Sequence, residues 1–197
     1  MRHDDSGYTL AEAVVTMVIT AIFMGATTTS ILSLYSSANR AQAIADAQQQ
    51  LGVAFNRLDR QIRYASGVSA PGTLNGDPVV EYVTTYTGSP VCTQLRLRPS
   101  TGQLQQRTWK QTTGAIAPTP WTQLAGGVTA TTPFTFHDAT DKFNFQRLEI
   151  SLSATFGGAA APLTRQYNGT FTALNTSLNT SASTASTTTC VEGRSVP

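Results

Sequence analysis

No Asp, Glu, Lys or Arg occurs between Ala13 and Asn39. The denser part of that run, Ala13–Leu32 (AVVTMVITAIFMGATTTSIL), holds about the 20 residues that a helix needs to cross a hydrocarbon layer. Its Thr and Ser hydroxyls can bond back to carbonyls one turn earlier, so they cost less in lipid than free polar groups. No other stretch is long and apolar enough to span a bilayer, which excludes a multi-span protein. A removable secretory signal would want a basic start, a shorter apolar run and a small-residue cleavage site behind it. Here the leader Met1-Arg-His-Asp-Asp-Ser-Gly7 sets two acids beside one Arg, and the apolar run continues into an amphipathic segment. A generic single-span anchor is the other reading of this pattern.

The run also explains an odd composition. Of 197 residues 40% are hydrophobic and only 12% charged, against roughly 25% charged in an ordinary soluble domain. The missing charge has an address: Ala13–Asn39, Gln111–His137 and Tyr167–Val191 carry no Asp, Glu, Lys or Arg. Outside them the chain is charged like an ordinary domain, and a net charge of +2 suggests neither a nucleic-acid scaffold nor an acidic tail. Runs of β-branched and aromatic residues argue against wholesale disorder.

Glu12 stands alone at the head of the apolar run. An ionisable group in a membrane helix is costly and points to a function with a nearby partner, unless it sits at the headgroup boundary. Its surroundings, Ser6-Gly7-Tyr8-Thr9-Leu10-Ala11-Glu12, resemble the type IV prepilin and pseudopilin signal: a short leader, Gly, an aromatic, Thr-Leu, one variable residue, Glu, then an apolar helix. The resemblance implies that a prepilin peptidase cuts between Gly7 and Tyr8 on the cytoplasmic side and methylates the new amine of Tyr8. It also implies that the apolar helix is kept as an anchor. Glu12 would then be an assembly residue, its carboxylate meeting the terminal amine of a neighbouring subunit and fixing the register between helices. The chain departs from the family pattern in its Tyr where Phe is commonest, its acidic leader, and the lack of a mid-helix proline. Gly25 and Thr27-Thr28-Thr29 stand there instead, a weak helix-forming stretch.

Charge returns after Ala38, and the pattern becomes amphipathic. Ile44, Leu51, Phe55, Leu58 and Ile62 fall within about 60° of arc at 100° per residue. Arg57, Arg60 and Arg63 lie opposite, with Asp59 one turn before Arg63. Those arginines read as a solvated or subunit-facing side, or as a patch for headgroups or nucleic acid. The spacing predicts one helix from about Tyr8 to Ala65, roughly 87 Å long, ending ahead of Gly67 and Pro71-Gly72.

Beyond Pro71 the period becomes two. Strands are expected at Val79–Tyr86, Val91–Arg98, Leu104–Lys110, Phe134–Phe136, Leu148–Phe156 and Arg165–Leu174, with turns at Pro99–Gly102 and a bulge or break at Gly169. A Gly/Pro/Thr-rich connection carries Trp121 and Leu124. The fold class is therefore α+β, a helix stripe packed on an antiparallel sheet. The order of these signals resembles the larger minor pilins and pseudopilins of the PilW and J-type kind. The expected division is a leader at 1–7, a membrane and assembly half-helix at 8–35, an amphipathic half at 36–66, a β-rich head at 67–175 and a Ser/Thr-rich tail at 176–197.

Cys92 and Cys190 fit an extracytoplasmic compartment, either as one disulfide or as two thiols. A bridge would pin the tail to the second strand and contribute up to about 4.7 kcal/mol in the loop-entropy picture. Asn168, Asn175 and Asn179 begin sequons of the kind that arise by chance in a Thr-rich chain. His137 and Asp138 with Asp141 lack a further ligand at metal-like spacing and read as a turn. No catalytic motif, metal set or cofactor signature stands out, so an enzyme is not expected.

The function expected is that of a minor pilin or pseudopilin subunit assisting assembly initiation of a type IV pilus or secretion pseudopilus. Its partners would be other pilin subunits, the prepilin peptidase, the platform protein and assembly ATPase, and membrane lipid before assembly. It would sit single-pass in the cell membrane, N-terminus cytoplasmic and head outside, and then in a surface filament. The alternative is an adhesive or DNA-uptake pilin, with Arg96, Arg98, Arg107 and Lys110 as a basic hairpin face meeting nucleic acid.

Overall fold

The computed structural model describes residues 9–85, 88–112, 115–156, 163–178 and 190–196. Among these described residues one helix, α1 (Leu10–Arg63), is followed by ten strands and a 3-10 turn at Val191–Ser195. Two compact units divide at Ala43.

The described part of the first unit is helix with no stripe. Leu10, Val14, Val15, Met17, Val18, Ile19, Ile22, Phe23 and Met24 are all exposed and cover the whole circumference. A helix apolar all round needs an apolar medium or apolar neighbours. Its hydroxyls turn inward on their own backbone as expected: Thr16 donates to the Ala13 carbonyl at 2.9 Å and Thr20 to Thr16 at 2.7 Å. Thr28 and Ser30 do the same to Met24 and Ala26. The triple Thr therefore sits within continuous helix, its hydroxyls satisfied without breaking a turn.

The second unit starts with the amphipathic end of α1. Leu51, Ala54, Leu58 and Ile62 are buried, and Phe55 packs edge-on against Phe171 at 5.7 Å between ring centres. The helix ends at Arg63, just short of the expected Ala65, because tertiary partners take over its last carbonyls. Leu174 N–H donates to the Arg63 carbonyl and Asn175 Nδ2 to that of Tyr64, both at 3.1 Å.

The strands form two antiparallel sheets rather than one. The first runs β1 (Ala65–Val68), β3 (Asp77–Thr84), β4 (Val91–Arg98), β5 (Gln103–Lys110), β6 (Thr122–Gly126), with β2 (Gly72–Leu74) also on β3. The second runs β10 (Leu163–Ala173), β9 (Gln146–Phe156), β7 (Val128–Thr129), with β8 (Phe134–His137) also on β9. Leu58 and Ile62 of α1, Val80, Tyr82, Leu95, Leu97 and Leu104 of the first sheet, and Leu148, Ile150 and Leu152 of the second share one core. Gln146, fully buried, ties the sheets by accepting the Val68 N–H at 3.0 Å.

Several boundaries differ from the sequence reading. β3 begins at Asp77, set by an Asn75-Gly76 turn whose φ values of 52° and 88° suit a two-residue hairpin. β6 arises inside the Gly/Pro/Thr connection, where no strand was expected. Gly169 is neither a bulge nor a break: β10 pairs with β9 without interruption, Gly169 opposite Ile150. Its role is steric. A Cβ there would lie 3.1 Å from Phe171 Cζ and 3.3 Å from Phe55 Cδ2. Gly169→Val should therefore destabilise the head by about 1–3 kcal/mol through overpacking; a denaturant midpoint equal to the parent's would contradict that reading.

Candidate functional site

Two places carry functional side chains: the start of α1 and the outer face of β3–β5. At the first, Thr9 precedes the helix and its Oγ1 accepts the Glu12 N–H at 3.3 Å, while Ala13 N–H reaches the Thr9 carbonyl. Thr9 is thus the N-cap and Glu12 the third helical residue, the positions of a capping box. The negative carboxylate also lies at the positive end of the helix dipole. Glu12 is exposed. The Thr-Leu-Ala-Glu spacing has this local meaning beside any intermolecular one, a signal the sequence reading passed over. Gly7 and Tyr8 lie outside the described residues.

The outer face of β3–β5 is built in rungs fixed by the register. Across the three strands stand Val79–Arg96–Gln105, Glu81–Gln94–Arg107 and Val83–Cys92–Trp109. In the middle rung Gln94 relays charge: its Nε2 donates to Glu81 Oε1 at 2.7 Å, and its Oε1 accepts Arg107 Nε at 2.8 Å. The first rung holds Arg96 against Gln105 Oε1, at 2.6 Å from Nη2.

Residues 190–196 lie across these rungs. Cys190 is disulfide-bonded to Cys92. Glu192 accepts Trp109 Nε1–H at 3.0 Å, and Gly193 packs on the Trp109 ring, where a Cβ would overlap it. Arg194 donates from Nε to both Glu81 oxygens and from Nη2 to the Ala70 carbonyl at 2.6 Å. Arg107 in turn donates to the carbonyls of Gly193 and Val196, at 2.8 and 2.6 Å. Glu81 is wholly buried yet held by Arg194, Gln94 and Ser69, so its charge is paired and its lone pairs are used.

The expected basic face is therefore not a face. Arg96 and Arg107 are buried, and the Trp121 ring covers both guanidinium groups at 3.9 and 4.3 Å from its centre. Burial lowers the pKa of each below the ordinary arginine value, and for Arg107 the neighbouring Arg96 adds to the effect. Only Arg98 and Lys110 of the four remain exposed. Alternation sends every second residue of β4 away from the core, but nothing local signals that a segment about a hundred residues later covers them.

The remaining candidates do not come together. His137 ends β8 and faces Glu149 at 3.2 Å. Asp138 accepts the Ala139 N–H and Gln146 Nε2–H, and Asp141 is exposed. Among the described residues these three form no ligand cluster; the one group of that kind is Cys92, Cys190 and Glu192, whose sulfurs are bonded to each other. Asn168 lies within β10, Asn175 holds the Tyr64 carbonyl, and Asn179 is outside the described residues.

Comparison with curated proteins and with solved structures gave no match. The family model of the prokaryotic N-terminal methylation motif matches residues 2–28, which take in the leader, the Thr9–Glu12 cap and the uniformly apolar part of α1. An apolar helix that opens on this motif and leads into an α+β head carries the N-terminal signal of the type IV prepilin and pseudopilin family.

Proposed function

We propose that the chain is a minor pilin or pseudopilin subunit. A prepilin peptidase cuts it after Gly7 and methylates Tyr8, and the helix then anchors it with the head outside the cytoplasm. The platform protein and assembly ATPase draw it into a filament, where it assists the start of assembly. The observation that supports this reading is the methylation motif at residues 2–28 in register with a helix exposed on all sides. Such a helix is stable in lipid before assembly and among other apolar helices afterwards. A structural subunit also accords with a head whose charged groups hold its own chain together.

Intact-mass measurement on the protein from a host with an active prepilin peptidase tests the proposal. The expected species starts at Tyr8 and carries one methyl group. A full-length, unmethylated chain in that host would overturn it. A nucleic-acid role is less well supported, because two of the four cations that suggested it are engaged inside the head.

A further inference from the structure

The first sheet has an apolar cluster on each side, and the two are separate. The inner one joins α1 to both sheets. The outer one is Val83, Cys92, Trp109 and Cys190, with Ile116 against it. Beyond the disulfide, the side-chain bonds of segment 190–196 run to Ser69, Ala70, Glu81, Arg107 and Trp109, none of them in the inner cluster. The segment could leave without removing any residue from the main core.

We propose that Cys190–Val196 is a latch closed by oxidation: forming the Cys92–Cys190 bond docks the segment, and until then the outer face of β3–β5 stands open on a completed inner core. Seven residues making one 3-10 turn bury little apolar surface of their own, and docking them closes a separation of 98 residues. Their polar contacts exchange against water when the segment leaves: Glu81 and Arg107 become hydrated rather than stranded, so those contacts hold the segment only weakly. The covalent bond is what keeps the segment in place.

Closure needs an oxidised dithiol, such as an extracytoplasmic thiol oxidant supplies. The thiolate of one cysteine attacks the donor disulfide, giving a mixed disulfide. The second cysteine displaces the donor thiolate from it. The protein loses two electrons and two protons, and the donor leaves as a dithiol. Once closed, the bond is shielded, because Cys92 and Cys190 are 0% and 1% exposed. The latch therefore works in one direction. Its setting rests on the extracytoplasmic placement proposed for the head, since such an oxidant acts there.

The test uses the full chain in detergent in a Trp121→Phe background, which leaves Trp109 as the one tryptophan. The oxidised protein is compared with its Cys92→Ser/Cys190→Ser variant. Trp109 should become several-fold more quenchable by acrylamide in the variant, while amide-exchange protection in β9 and in residues 44–63 stays as in the parent. Trp109 equally shielded in both would overturn the proposal, since the segment would then dock without the bond. Loss of protection throughout the head would overturn it too, since the two layers would be one. Both readouts come from purified protein, so a failure of the processing and filament reading would show in the mass measurement and leave this result standing.

Discussion

Replacing Glu12 by leucine should leave the chain anchored, cut and methylated, yet absent from filaments. The carboxylate is exposed on a helix whose other side chains from Leu10 to Val15 are apolar. In lipid at a headgroup boundary it costs little, so anchoring does not depend on it. Drawn among apolar helices, an unpaired carboxylate would cost about 3 kcal/mol or more, as would the unpaired amine of a processed Tyr8. Pairing the two between neighbouring subunits would remove both costs and select one axial register. Leucine would leave the amine without that partner and every register nearly equal. Because Glu12 also occupies the third position of a capping box, the loss of the cap must be separated from the loss of the pair. Glu12→Gln makes that separation, since glutamine keeps the capping geometry and loses the charge. Both variants should be missing from sheared filaments while present, with a processed mass, in the membrane fraction. Glutamine at parental levels in filaments would mean that the cap, and not the charge pair, is what matters at this position.

Leu58→Ala is expected to be the most damaging single truncation in the head. Leu58 is 0% exposed and sits where the α1 stripe meets the core shared by the two sheets. Truncation removes transfer free energy and leaves a cavity that two sheets and a helix cannot collapse to fill. Together these cost about 3 kcal/mol, within a range of about 2–5. Against a total stability of about 5–15 kcal/mol, that is a large fraction. Arg57→Ala, one residue away on the exposed side, should change stability by less than about 0.5 kcal/mol. Denaturant unfolding of the two variants with an unchanged slope would read this contrast directly. Similar midpoints for both would mean that this end of the helix is not part of the cooperative unit.

How much of this was legible in the chain depended on whether the signal was local. The helix from Leu10 to Arg63 was readable nearly to the residue, because an uncharged run and a one-sided stripe are properties of neighbouring positions. The strands at Val91–Arg98 and Gln103–Lys110 were readable for the same reason, since alternation has period two and a Gly turn lies between them. The start of β3 is signalled by Asn75-Gly76, the strongest short hairpin signal in the chain, which lies ahead of the β-branched run. The strand at Thr122–Gly126 had no such signal. It is held by its pairing with β5, and its residues have little strand preference of their own.

The outer face of the first sheet was beyond reach of local reading. Alternation placed Cys92, Gln94, Arg96 and Arg98 on one side of β4, but a sequence cannot say whether that side meets water. Gly169 shows the same limit at one residue: a glycine in a strand suggests a kink, yet this one leaves room for the Phe55 ring. The membrane-compatible helix, the Glu12 signal at its start and the α+β order of elements are written locally, because each follows from residues within a few turns or strands of one another. The split of the strands into two sheets, and the pair that joins buried Glu81 on β3 to half-buried Arg194 in the C-terminal segment, are settled by the folded chain alone. Packing also covers Arg96 and Arg107 on the outer face of the hairpin, with Trp121 over both and the C-terminal segment on Arg107. Those outcomes depend on which distant segments cover which faces, and burial, unlike periodicity, is settled only when the whole chain has packed.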